Sequence, residues 1–149
     1  MKSNNRFRHV FAIAVVILLI SVRLFEQEWF PEKFIDYFAS GNYMKSSLPV
    51  LRFEDYFSIF LRYSVNSILS VILLQLLFKD ARLTLWAVKF FIYSGVILGI
   101  LFVLTVQWIR PVDYRIVFYL RRMLIQPVGL FLLLPVFYFI REATKPAGS

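Results

Sequence analysis

The chain has 149 residues, of which 60% are hydrophobic and only 17% are charged, and it carries a formal net charge of +8. Soluble domains are usually about 45–50% apolar and about 25% charged, so this composition excludes an ordinary soluble domain, and it also excludes a disordered chain. With no cysteine and one histidine, the chain can form neither a disulfide nor a zinc site built from Cys or His ligands.

The first apolar run covers about residues 7–25 and follows the basic residues Lys2, Arg6 and Arg8. A basic start before an apolar core resembles a signal peptide. However, residues 21–26 contain no small-x-small cleavage signal. We therefore expect an uncleaved membrane anchor.

Three further apolar runs cover about residues 56–78, 83–108 and 114–140. Each run approaches or exceeds the roughly 20 residues that cross a hydrocarbon core about 30 Å thick. A continuous α-helix satisfies all of its backbone polar groups inside lipid. The sequence therefore predicts an all-α membrane protein, a single domain over residues 1–149 with four transmembrane helices.

The two chain ends and the short turn near residues 79–82 would lie on one side of the membrane. Lysine and arginine are denser in these short segments than in the segments on the other side. Basic residues also precede the first helix, and positive charge favours the cytoplasmic side. We expect both termini inside (N-in/C-in) and the long connection 26–55 outside.

The connection 26–55 contains six of the nine acidic residues. Its aromatic residues Phe30, Phe34, Tyr37 and Phe38 recur at helical spacing, which predicts a short amphipathic helix lying on the outer membrane surface. The alternative is an aromatic-rich loop packed on the helix bundle.

Polar residues inside the predicted spans are the strongest functional signal, since a charged side chain there costs about 2.5–3.5 kcal/mol on insertion scales. Five of them lie in the second and fourth helices: Arg62, Asn66, Arg121, Arg122 and Gln126. Lys89 of the third helix lies near the other membrane face, where it is expected to snorkel. Arg62 and Asn66 are four residues apart and share a helix face, and Arg122 and Gln126 have the same spacing. Because these two helices run in the same direction, all five residues fall at one depth, where no helix carries an acid.

Two interpretations of this arginine cluster remain open. Guanidinium groups bind phosphates and carboxylates bidentately, so the five residues form a candidate site for an anionic lipid or for the acid of a partner protein. Alternatively, the arginines only snorkel to the lipid headgroups. An ion relay is disfavoured, because such relays usually need Asp, Glu or His inside the membrane.

Two prolines and two glycines predict details of the helix geometry. Pro127 and Pro135 each remove a backbone donor and predict kinks in the fourth helix, with or without a functional cavity. Gly95 and Gly99 form a GxxxG pattern, which permits close helix approach. It favours packing inside the bundle over contact between copies in a homo-oligomer.

Two stretches resemble a known family: R-Y-S-V-N-S at 62–67 and R-R-M-L-I-Q-P at 121–127. Together with the length and the four-helix layout, they are similar to the exosortase F system-associated proteins of flavobacteria. The resemblance implies an accessory protein of the bacterial inner membrane whose partner is an exosortase or its cargo. Exosortases use a Cys nucleophile, which this chain lacks.

We therefore expect a non-enzymatic accessory protein with no cofactor, in contact with membrane lipid and not with nucleic acid. Two alternatives are an enzyme acting on a lipid-linked substrate and a small transporter or channel. The enzyme would need Glu54 or Asp55 near Arg62 as its acid or base. The lack of acids inside the spans disfavours the transporter.

Overall fold

We analysed a computed structural model of the chain, which describes residues 2–29, 33, 37–38, 50–108 and 114–144. The described elements are helices, so the predicted all-α class is confirmed. They are α1 (Lys2–Leu24), α2 (Glu26–Trp29), α3 (Phe53–Phe78), α4 (Ala81–Trp108), α5 (Tyr114–Ile125) and α6 (Val128–Ala143). Helices α1, α3 and α4 begin two to five residues earlier than their apolar runs.

Three of the described helices are long and apolar enough to cross a membrane: Arg6–Leu24 of α1, α3 and α4. Helices α5 and α6 pass the same test only together, and they bend by 58° at the break between them. The stretch 114–140, predicted as one kinked helix, is therefore two helices.

The bent pair follows α4 along its length in the opposite direction. Val117 of α5 packs in one hydrophobic cluster with Phe102 and Val106, near the end of α4. Leu133 of α6 packs in another cluster with Leu83, near the start of α4. The two helices of the bent pair thus pack near opposite ends of α4.

The break lies at Pro127, whose ring removes the N–H that a continuous helix would donate to the carbonyl of Met123. The Val128 N–H instead donates to the Gln126 carbonyl at 2.7 Å, and α6 then starts. Pro135 behaves differently, because α6 continues through it without interruption.

Helix α3 occupies the centre of the bundle and packs against α1, α4, α5 and α6. Its buried side carries a polar stripe with a spacing of three or four residues, formed by Asp55, Ser58, Arg62, Asn66 and Ser70, beside the apolar Ile59, Leu73 and Leu74. The stripe extends about 22 Å along the helix axis. The outer side of α3 is apolar and exposed, at Phe57, Phe60 and Ile68 for example. This distribution suits a helix in lipid, where polar groups find partners only inside the bundle.

Most of the amphipathic helix predicted in the connection 26–55, including Phe30 and Phe34, lies outside the described residues. Tyr37 and Phe38 are helical, half-buried and packed against the cluster around Ile59. The ring of Phe38 meets that of Phe118 at 5.1 Å in an edge-to-face arrangement. The connection thus contacts the bundle through at least these two rings.

Candidate anion site at the helix break

Arg62 is the most deeply placed charged residue of the polar stripe. It lies nine residues into α3, about 14 Å along the axis, and its side chain is only 1% exposed. Its Nη1 atom is buried without a hydrogen bond to the described residues, while the residue as a whole takes part in other interactions. A charge removed from water in this way costs free energy unless its surroundings supply opposite charge or polar groups.

Asn66 follows Arg62 by one helical turn and is 5% exposed. Its Nδ2 atom donates a hydrogen bond to the main-chain carbonyl of Ile125 at 2.8 Å. Its own main-chain carbonyl accepts a hydrogen bond from Ser70 Oγ at 2.6 Å. Asn66 therefore fastens the centre of α3 to the last residue of α5, directly before the break.

A groove of about 510 Å³ lies between α1, α3 and the break. We call it the α1–α3 groove. Its polar lining residues are Arg23, Arg62, Asn66 and Gln126. The remainder of its lining is apolar and includes Leu19, Leu73, Phe131 and Leu134. The groove thus combines cationic residues with apolar walls. This arrangement complements a lipid that has an anionic headgroup and apolar acyl chains.

A smaller cavity of about 260 Å³ lies on the other side of the break, between α3, α4 and α6. Asn66, Gln126 and Pro127 line both this cavity and the α1–α3 groove. Tyr63 lines the small cavity, and its hydroxyl lies 2.9 Å from Ser94 Oγ. The side chains at the break are therefore the wall that separates the two spaces.

The structure brings only part of the predicted cluster together. Arg62, Asn66 and Gln126 line the α1–α3 groove, whereas Arg121 and Arg122 do not. Arg121 is buried at 6% exposure, and Arg122 is exposed and donates from Nε to Gln126 Oε1 at 3.1 Å. The rotation of α5 about its axis therefore places the two adjacent arginines away from the groove, although Gln126, directly after α5, lines it.

Arg23 is a groove residue that was not predicted from the sequence. Arg23 lies in the last turn of α1 and lines the α1–α3 groove with Arg62. A signal for it was available, because the end of α1 and the first part of α3 belong to antiparallel neighbours and share one depth.

The two acids considered as catalytic groups lie at the start of α3, outside the α1–α3 groove. Glu54 is exposed, whereas Asp55 is 6% exposed. The Asp55 carboxylate accepts hydrogen bonds from the main-chain N–H groups of Arg52 at 2.8 Å and Lys33 at 3.1 Å. The Lys33 Nζ atom lies 4.0 Å from Asp55 Oδ2. Asp55 thus joins the connection 26–55 to the start of α3.

Over the part of the chain that the structure describes, no group of three or more His, Asp or Glu side chains is placed to hold a metal ion. Comparison of the chain with family models, with curated proteins and with solved structures gives no match.

Proposed function

We propose that this chain is a non-enzymatic, multi-pass membrane protein that holds an anionic group in the α1–α3 groove. We further propose that it serves as an accessory protein of an exosortase-type sorting system in a bacterial inner membrane. The resemblance of residues 62–67 and 121–127 supports the second proposal. The geometry of the groove supports the first.

The observation that carries the anion site is the burial of Arg62 in a groove whose walls are mostly apolar. A guanidinium in such surroundings attracts an anion more strongly than one in water, because the local dielectric constant is lower. Arg23 adds a second positive charge to the lining. Phosphate and carboxylate oxygens both match the fork of N–H donors on arginine.

Two sources can supply that anion. A phospholipid would place its phosphate at the arginines and its acyl chains along Leu19, Phe131 and Leu134. An exosortase or its cargo would supply a carboxylate from a helix packed on the same walls. In the predicted N-in/C-in orientation, Arg23 and Arg62 lie towards the outer leaflet.

The test is purification of the tagged protein in a mild detergent, alone and co-expressed with an exosortase, followed by native mass spectrometry. We expect Arg62→Gln to lose the bound anion, or to weaken it at least about tenfold, because it removes charged hydrogen bonds. Arg6→Gln removes the same charge from an exposed position outside the groove and should retain the ligand. If the protein purified alone carries a bound lipid, the anion is the lipid phosphate. If the protein associates only with the co-expressed exosortase, the anion is a carboxylate of that partner.

Undiminished lipid and partner association in Arg62→Gln would contradict the proposal. If that variant does not fold, Arg23→Gln replaces it, since Arg23 is exposed and lies at the end of α1. Arg23→Gln should weaken binding of the same ligand, because it removes the second positive charge of the groove lining.

A further inference from the structure

A third cavity, of about 810 Å³, lies where the turn between α3 and α4 meets the end of α6. We call it the turn cavity. Three cationic residues line it: Lys79 from the turn, Arg82 from the first turn of α4, and Arg141 from the last turn of α6. All three are exposed, so their charges reach the cavity without a burial cost.

Asp80 is the acid that lines the turn cavity. Its Oδ1 atom accepts hydrogen bonds from the main-chain N–H groups of Arg82 at 2.7 Å and Leu83 at 3.4 Å. Asp80 is therefore the N-cap of α4, and its negative charge is directed at the positive end of that helix. Positive charge exceeds negative charge at the cavity.

Lys79 has an unusual backbone conformation, with φ 55° and ψ 30°. It is the one non-glycine residue with positive φ in the described part of the chain. Helices that end in this left-handed conformation usually place glycine or asparagine there, because a Cβ atom is disfavoured. A strained residue that also lines a charged cavity points to a function for its side chain.

The remaining lining of the turn cavity is mostly apolar and includes Trp86, Leu133, Val136 and Ile140. Trp86 is 69% exposed, and exposed tryptophan is typical of the level where headgroups meet hydrocarbon. Cationic side chains therefore lie beside surfaces of α4 and α6 that suit acyl chains. Basic pockets of this kind between helices bind anionic phospholipid headgroups.

We propose that the turn cavity binds the phosphate headgroup of an anionic phospholipid, with Lys79, Arg82 and Arg141 around the phosphate and the acyl chains along Trp86 and Ile140. The site is separate from the α1–α3 groove and lies at the opposite end of α3. It does not depend on the exosortase partnership.

The test uses the full-length protein, delipidated in detergent, and titrates it with cardiolipin, with phosphatidylcholine and with inorganic phosphate. Bound lipid is counted by native mass spectrometry. We expect cardiolipin to bind, and Arg82→Gln/Arg141→Gln to weaken it about 25-fold, at about fivefold for each cation removed. The control Arg6→Gln/Lys89→Gln removes two exposed charges outside the cavity and should leave the affinity unchanged.

Lys79→Gly provides a variant that folds more readily, since glycine adopts the left-handed conformation without strain. This variant should have a higher unfolding temperature in the absence of lipid. Its affinity for cardiolipin should still be about fivefold lower. Arg62→Gln should bind cardiolipin here as the unmodified protein does, which separates this site from the α1–α3 groove. Undiminished cardiolipin binding in Lys79→Gly or in the double variant would overturn the proposal. Equal affinity for inorganic phosphate would reassign the cavity to a soluble anion.

Discussion

The side chain of Asn66 donates a hydrogen bond at 2.8 Å to the main-chain carbonyl of Ile125, which is the last residue of α5. Helix ends leave carbonyl groups without partners inside the helix, and lipid offers no water to satisfy them. An amide from α3 thus stabilises the break between α5 and α6. The polar stripe of α3 and the bend are coupled by this bond.

Replacing Asn66 with leucine keeps most of the side-chain volume and removes the donor. We expect a loss of about 1–2 kcal/mol in the free energy of unfolding, within the range seen for hydrogen bonds between membrane helices. The measurement is reversible unfolding in mixed micelles with increasing SDS. Ser64→Ala is the control, because Ser64 Oγ only donates to the Phe60 carbonyl within the same helix. If Ser64→Ala lowers the free energy of unfolding as much as Asn66→Leu does, the hydrogen bond from Asn66 to Ile125 does not stabilise the break.

Pro127 and Pro135 are expected to differ when each is replaced with alanine. Pro127→Ala restores an N–H at the break and should reduce the 58° bend. Pro135→Ala should leave the bend unchanged and stabilise α6 slightly, since α6 already continues through that position. Because the chain contains no cysteine, spin labels can be introduced at Tyr119→Cys and Phe139→Cys, and their separation can be measured by pulsed electron paramagnetic resonance.

A longer label separation in Pro127→Ala and an unchanged one in Pro135→Ala are the expected results. If Pro127→Ala leaves the separation as it is, the Asn66 hydrogen bond holds the bend by itself. The combination with Asn66→Leu would then straighten the pair.

Glycines at helix contacts should not tolerate a methyl group. A Cβ atom at Gly95 would lie 2.5 Å from the ring of Tyr63, and one at Gly129 would lie 2.6 Å from the ring of Phe91. Overpacking of this kind costs about 1–3 kcal/mol. Gly99→Ala should be neutral or slightly stabilising, because nothing lies within 4 Å of its added Cβ. Thermal unfolding in detergent compares the stability of the three variants. If Gly99→Ala lowers the unfolding temperature as much as Gly95→Ala does, Gly95 is not distinguished by its contact with Tyr63.

Asp55 should matter to the connection 26–55, and Glu54 should not. Asp55→Asn keeps the shape of the side chain but removes the charge that strengthens the hydrogen bonds from Lys33 and Arg52, at a cost of about 1–2 kcal/mol. We expect faster tryptic cleavage after Lys33 in this variant. Glu54→Gln changes an exposed carboxylate and should be cleaved at the unmodified rate. Equal cleavage of both variants would show that Asp55 does not hold the connection.

The helical class and the approximate spans could be predicted from the sequence, because apolar runs near 20 residues long have few structures open to them in lipid. Pro127 marked the position of the bend for a local reason, namely its missing N–H. The separation of Arg121 from the groove could not be predicted from depth alone. Depth depends on residue number along one helix, whereas the direction of a side chain depends on how that helix rotates against its neighbours.

From the sequence alone followed an all-helical chain, a shared helix face for Arg62 and Asn66, and a weak point at Pro127. The tertiary structure decided which of these residues meet. It placed Arg23 of α1 on the same groove as Arg62, joined Asn66 to the Ile125 carbonyl and gathered Lys79, Arg82 and Arg141 around one cavity. The physical reason is that these contacts join different helices, and their formation depends on packing rather than on the preferences of any single segment.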